Sequence, residues 1–220
     1  MPPPSVDAAI VDLDGTMVNT LGDFAQALGG MLADLRLPPI APQAIERMVG
    51  KGSEHLIRGV LAHVGAGADA EALYARAMRR YEHHYRRING QFAEVYPGVP
   101  EGLHRLKARG LRLACLTNKP LALAAALLTD KGLAGFFDHV FGGDSFACKK
   151  PDPLPLLKTC EALGSAPART LMVGDSSNDA QAARAAGCPV VLVTYGYNHG
   201  QPVRGVDADG FVEALTDLTL

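Results

Sequence analysis

The chain has 220 residues, 48% of them aliphatic or aromatic, which allows one sizeable core and a small accessory domain. Its 21 basic and 23 acidic residues leave a formal charge of −2, so no global positive field recruits nucleic acid or an anionic membrane surface, and any anion must be bound at a local positive site. No apolar run approaches the ~20 residues of a membrane helix, and the start, Met1-Pro2-Pro3-Pro4-Ser5, lacks the basic and apolar regions of a signal peptide. The expectation is a cytoplasmic protein, monomeric or homodimeric. Cys115, Cys148, Cys160 and Cys188 form no Cys-x-x-Cys pair and read as reduced thiols.

The first element is an apolar strand, Ala8-Ala9-Ile10-Val11, that runs into Asp12-Leu13-Asp14-Gly15-Thr16. Successive strand side chains point to opposite faces, but Gly15 lets the backbone turn, so Asp12 and Asp14 can converge beyond the strand's carboxyl end. One carboxylate would then serve as nucleophile and the other as proton carrier. Taken alone, the same residues also read as a strand followed by an Asp-Gly turn.

From there the period is helical up to about residue 92, too long for an ordinary connection in an α/β unit. Thr20 and Asp23 form a capping-box-like start, and Leu21, Phe24, Leu28, Met31, Leu32 and Leu35 line one face until Pro38-Pro39. Ser53 is placed to cap a second amphipathic helix carrying Leu56, Ile57, Val60, Leu61 and Val64, which Gly65-Ala66-Gly67 ends; Asp69 opens a third that runs to about Arg87. Within it His83-His84 point about 100° apart and read as exposed helix polarity.

After the insertion the chain alternates helix and strand, the pattern of a parallel sheet with right-handed crossovers. Helices are expected around Val99-Arg109, Leu121-Lys131, Pro153-Leu163 and Asn178-Ala186, and strands around Leu111-Leu116, His139-Gly142, Thr170-Gly174 and Val190-Val193. The strand at Leu111-Leu116 ends in Thr117-Asn118-Lys119-Pro120, where a hydroxyl, an amide and free backbone N–H groups suit a phosphate oxygen, although Thr-Asn before a helix is also an ordinary cap. Pro151 and Pro153 stiffen the loop that carries Lys150, which favours a fixed point charge over a solvated lysine. Thr170-Leu171-Met172-Val173-Gly174 breaks into Asp175-Ser176-Ser177-Asn178-Asp179. Asp179 doubles as a first-turn helix acid, whereas Asp175 ends a buried strand and needs a partner to offset its desolvation.

The order acid pair, Thr-Asn, lysine, acid pair, each at the end of an apolar run, resembles the four motifs of the haloacid dehalogenase-like superfamily of phosphotransferases, over essentially the whole chain. Gly174-Asp175-Ser176-Ser177-Asn178-Asp179, Ala185-Ala186-Gly187-Cys188-Pro189 and Thr194-Tyr195-Gly196-Tyr197-Asn198 look most like the bacterial phosphoglycolate phosphatases within it. The resemblance implies a Rossmann-like parallel core with helices on both faces, formed by 1–17 and 93–220, and an inserted helical cap domain over 18–92. It implies that Asp12 is the nucleophile, Asp14 the general acid and base, and Lys150 the charge that offsets Asp12 and the phosphoryl group. Thr117, Asn118, Gly15 and Thr16 would hold the phosphate. Mg²⁺ would sit on Asp12, the Asp14 backbone carbonyl and Asp175, with Asp179 in support through water or Lys150. The expected substrate is a small phosphorylated metabolite, foremost 2-phosphoglycolate. Within Arg47-Met48-Val49-Gly50-Lys51-Gly52-Ser53, Lys51 beside a helix N-terminus is placed to receive its carboxylate, with solvated cap charge as the plainer reading. Other sugar phosphates, a β-phosphoglucomutase-like phosphotransferase, and a non-catalytic phospho-ligand-binding relative are the alternatives. The loop Tyr195-Gly196-Tyr197-Asn198-His199-Gly200 reads as either site lining or punctuation.

Overall fold

In a computed structural model of the chain, which describes residues 6–67 and 70–219, the apolar runs that end in acids are strands. The residues before Val6, and Asp69 as a helix start, lie outside the described residues. In chain order the elements are β1 (Ala8–Val11), β2 (Val18–Asn19), α1 (Leu21–Leu35), α2 (Pro42–Glu46), α3 (Ser53–His63), α4 (Ala70–Ile88) and β3 (Glu94–Val95). There follow α5 (Val99–Ala108), β4 (Arg112–Leu116), α6 (Leu121–Asp130), β5 (His139–Phe141), α7 (Leu154–Leu163), β6 (Thr170–Gly174), α8 (Ser177–Ala186), β7 (Val190–Val193) and β8 (Gly210–Val212).

Six strands form one sheet in the order β5-β4-β1-β6-β7-β8, and every neighbouring pair is parallel. A parallel sheet buries both faces, and the alternation of side chains along each strand supplies both. Ala9, Val11, Leu113, Cys115 and Val173 pack against Leu103 and Leu106 of α5 and Leu127 and Leu128 of α6. Ala8, Ile10, Ala114, Leu116 and Met172 pack on the other side against Leu156 and Cys160 of α7 and Ala182 and Ala183 of α8. The fold is thus the α/β, Rossmann-like core expected from the sequence. β8 was not foreseen: it has three residues, one of them Gly210, and its place is set by its pairing with β7. The four cysteines are free thiols, and no helix among the described residues is long and apolar enough to cross a membrane.

Helices α1 to α4 have a core of their own, built from Phe24, Leu28, Met31, Ile57, Leu61, Tyr81 and Tyr85. A short antiparallel ribbon, β2 with β3, pairs Val18 with Val95 and Asn19 with Glu94 where the chain enters and leaves this insertion. Three local expectations give way here. Thr20 occupies the N-cap of α1 without a side-chain cap bond, and its hydroxyl is buried with no hydrogen-bond partner. Asp23, expected to complete a capping box, instead accepts hydrogen bonds from the backbone N–H of Gly90 (2.6 Å) and Phe92 (2.8 Å). A local cap has lost to a long-range one because the residues just past α4 bring two backbone N–H donors to the same buried point, where they need an acceptor. Ser53 is the first residue of α3 and Gly52 its cap, and α2, opened by Pro42, was not anticipated.

Asp23 therefore clamps the two ends of the insertion together. Replacing it by Ala leaves two backbone donors without a charged acceptor, an expected loss of roughly 2–4 kcal/mol of stability. Chemical denaturation of Asp23→Ala checks this; a loss below about 0.5 kcal/mol, the ordinary surface range, would show that the clamp carries no load.

Candidate functional site

β1 is the central strand, with β4 on one side and β6 on the other, so the strand order reverses at its edges. Open α/β sheets bind ligands at the carboxyl ends of strands at such a switch point. The chain leaving β1 carries Asp12 and Asp14, that leaving β4 carries Thr117, Asn118 and Lys119, and that leaving β6 carries Asp175 and, one turn into α8, Asp179. Gly15 makes the approach possible. Its φ is +85°, and a Cβ there would overlap the Asp175 carboxylate and the Tyr197 ring.

Asp12, Asp175 and Asp179 are buried, and each can offer a carboxylate oxygen within 4.8 Å of the others. Lys150 Nζ donates to Asp179 Oδ1 at 2.7 Å and to the Leu116 carbonyl at 2.8 Å, and lies 3.1 Å from Asp12 Oδ1. Asp179 Oδ2 accepts from the N–H (3.2 Å) and hydroxyl (2.9 Å) of Ser176, so both readings of Asp179 hold: it starts α8 and also fixes Lys150. Asp175 accepts from the Tyr197 N–H at 2.5 Å and the Thr16 hydroxyl at 3.2 Å.

Burial pushes the Asp12 carboxyl up to about 7, with Lys150 opposing and Asp179 reinforcing the rise. Asp175 is raised well above the usual carboxylate range, first by burial and then by Asp179 and Asp12. Burial also works against the Lys150 ammonium, but Asp12 and Asp179 outweigh it and raise its pKa. Carboxylates crowded until they hold protons are a donor set short of positive charge. Hard oxygen donors at this spacing fit a divalent cation such as Mg²⁺.

A narrow, partly enclosed cavity lies between this edge and the insertion, with about 30 Å³ of space open to the centre of a water molecule, room for roughly two waters. Its core wall includes Asp12, Asp14, Thr117, Asn118 and Lys119; its opposite wall includes Phe24, Val49, Leu56, Tyr81 and Tyr85. The junction is made of specific contacts. The Asn118 side-chain amide donates to the carbonyls of Gly50 (2.9 Å) and Lys150 (2.8 Å), and its oxygen accepts from the Lys150 N–H (3.0 Å). Asn178 donates to the same Gly50 carbonyl at 3.1 Å. Tyr197, from the loop after β7, is buried in the core of the insertion, and its hydroxyl bonds Asn19 Oδ1 (2.6 Å) and the Thr20 N–H (2.9 Å).

The structure thus brings Asp12, Asp14, Thr117, Asn118, Lys150, Asp175 and Asp179 to one place. Two expected phosphate contacts are directed elsewhere: Gly15 supplies close packing, and the buried Thr16 hydroxyl is spent on Asp175. Lys51 is exposed and does not line the cavity; only its neighbours Gly50 and Gly52 do. Of the adjacent histidines, His84 joins α4 to α1 through Asp34 Oδ2 at 2.9 Å.

Sequence reasoning missed Lys119. Its side chain is 3% exposed, and Nζ lies 3.2 Å from Asp14 Oδ1 and 2.5 Å from the Tyr85 hydroxyl, with the Phe24 and Tyr85 rings at 5.1 and 4.5 Å. A lysine between a strand end and a proline was a signal, as was the Tyr81/Tyr85 spacing of four, which puts both rings on one helix face. Tyr197 was hidden inside what read equally as punctuation.

A family model described as haloacid dehalogenase-like hydrolase matches residues 6–187. The chain is 43% identical over 218 residues to a phosphoglycolate phosphatase of Thiobacillus denitrificans, covering 99% of this chain and 96% of that one. It is 44% identical over 217 residues to a phosphoglycolate phosphatase of Nitrosospira multiformis, with the same coverage. Among solved structures it superposes on one from Haemophilus somnus, described as a predicted phosphoglycolate phosphatase, with a TM-score of 0.91 at 32% identity and 96% coverage of both chains. With the acid pair, the buried lysine and the second acid cluster at one sheet edge, the chain belongs to the haloacid dehalogenase-like hydrolases.

Proposed function

We propose that the protein is a Mg²⁺-dependent phosphatase acting on a small phosphate monoester, foremost 2-phosphoglycolate, through an aspartyl-phosphate. The observation that carries this is the pairing of each acid of the first motif with its own buried lysine, Asp12 with Lys150 and Asp14 with Lys119, beside an acid cluster fit for a cation. The names of the relatives support the substrate class. The narrow cavity supports a small substrate over a polymeric one.

An Asp12 oxygen attacks phosphorus while the P–O bond to the leaving group breaks on the opposite side, and Asp14 gives its proton to the departing oxygen. Asp14 then takes a proton from water, whose oxygen attacks the phosphorus and releases phosphate and the Asp12 carboxylate. Lys150, held by Asp179 and the Leu116 carbonyl, offsets negative charge on Asp12 and the phosphoryl group. Thr117 and the Asn118 N–H are the donors on the cavity wall for its oxygens. Asp12, Asp175 and the Asp14 backbone carbonyl would hold Mg²⁺, with Asp179 in support through Lys150. Bound there, the cation supplies charge neutralisation and keeps Asp12 ionised.

Asp12→Asn is expected to keep its fold and lose more than roughly 10³ in turnover; undiminished hydrolysis by the folded variant refutes the nucleophile. Asp14→Asn should cost roughly 10²–10⁴ with an alkyl phosphate and much less with an activated aryl phosphate. Equal losses on the two substrates would remove its role as acid.

The metal assignment has a thermal test with a sign. Asp12 binds its proton more tightly folded than unfolded, so the metal-free protein loses stability as pH rises from 3.8 through about 7. Mg²⁺ competes with that proton, so its binding strengthens over the same rise. At a hundredfold excess over its dissociation constant, Mg²⁺ at pH 8 should raise Tm by roughly 5–10 °C, less at pH 6, and not at all for Asp175→Asn. A wild-type shift that is the same at both pH values contradicts the assignment.

A further inference from the structure

Resting on the phosphatase reading, we propose that Lys119, from the core, is the residue that receives the substrate's carboxylate and so sets specificity, with Tyr85 of the cap holding the ammonium in place. Among the described residues that line the cavity, Lys119 carries the only positive charge. The remaining wall includes two carboxylates, Asp12 and Asp14, the neutral polar Ser53, Thr117 and Asn118, and an apolar surface from Phe24, Val49, Leu56, Tyr81 and Leu123, so it offers no second cation. A carboxylate brought into such a space without a partner is strongly disfavoured. One fixed ammonium removes that penalty for a phospho-acid and offers nothing comparable to a neutral ester.

The distances suit this role. Asp14 must reach the bridging oxygen of the ester to protonate it. In an ester of the form phosphate-O-CH₂-COO⁻, standard bond lengths put the carboxylate oxygens roughly 2.7–3.6 Å from that bridging oxygen. Lys119 Nζ stands 3.2 Å from Asp14 Oδ1, so an acid in contact with the bridging oxygen has the ammonium about one such step away. Lys119 has three N–H donors; Asp14 and Tyr85 take two, and one is left for a ligand. Burial raises the Tyr85 hydroxyl well above its ordinary pKa, reinforced by Asp14 and Asp23, so it stays a neutral phenol that can accept from the ammonium. The Phe24 and Tyr85 rings beside Nζ stabilise the cation in a place water scarcely reaches. Lys51, the cation that the sequence placed in this role, is exposed and outside the cavity lining.

Lys119 also touches Asp14, so a variant can slow every substrate; the reading that separates the two roles is a ratio. With Mg²⁺ present, kcat/KM is measured for 2-phosphoglycolate and for 2-hydroxyethyl phosphate, which keeps the skeleton and replaces the carboxylate by CH₂OH. In the wild type the acid is expected to lead, and Lys119→Met should shrink that lead by roughly tenfold or more, mainly through KM for the acid. Lys119→Gln keeps polar contacts without the charge and should shrink it alike, which covers the case in which the Met variant fails to fold. If both substrates fall by the same factor, Lys119 only positions Asp14 and the proposal is overturned while the phosphatase reading stands. If the wild type hydrolyses the two esters equally well, the phosphoglycolate assignment falls, and the carboxylate role of Lys119 falls with it.

Discussion

Four carboxylates and two ammonium groups share the carboxyl edge of one parallel sheet, and most of the site's construction follows from keeping them there. Asp12, Asp175 and Asp179 are almost fully removed from water and Asp14 is nearly so, a placement that water-excluded carboxylates tolerate only with compensating charge. Lys150 compensates at three points at once, because its ammonium meets Asp12, Asp179 and a strand-end carbonyl. Its position is in turn set by the Asn118 amide, which bonds both the N–H and the carbonyl of the lysine. Asp175, left without a lysine, is held by a hydroxyl and a backbone N–H, and burial drives its carboxyl toward the protonated form. The balance remains short of positive charge, which is why a divalent cation fits the cluster.

The same constraint shapes the junction between core and insertion. Charged groups at a sheet edge need water excluded if their electrostatics are to be strong, and the insertion excludes it. It is tied down by polar contacts with direction: Gly50 accepts from two core asparagines, Tyr85 meets Lys119, and Tyr197 carries a hydroxyl from the core loop to Asn19 and Thr20 at the hinge ribbon. Asp23 lies wholly within the insertion's base and holds its entry and exit together.

Much was legible along the chain. Strands reveal themselves as apolar runs closed by acids or Thr-Asn, and the helices α1 and α3 by the recurrence of aliphatic side chains on one face. The core acids and Lys150 were readable because each sits where an apolar run stops, and a charge at that point needs a chemical reason. What escaped were features whose meaning is a distance between remote segments. Thr20 and Asp23 have the spacing of a capping box, yet Asp23 is drawn to Gly90 and Phe92. Thr16 has the place of a phosphate ligand, yet its hydroxyl lies against Asp175.

Lys51 and Lys119 show the division most directly. Both are lysines in glycine- or proline-bounded loops, and sequence pattern favoured the one beside a helix N-terminus. Only the three-dimensional arrangement decided that Lys51 faces water and Lys119 faces Asp14, because that depends on β1 and β4 lying side by side, so that the segments leaving them meet. Local periodicity and strand-end chemistry are properties of contiguous residues, so the sequence alone determined the fold class and the acids and lysine that gather at the sheet edge. Burial and the pairing of charges are properties of the packed whole, and they decided which cation guards the cavity and which side chains serve the fold.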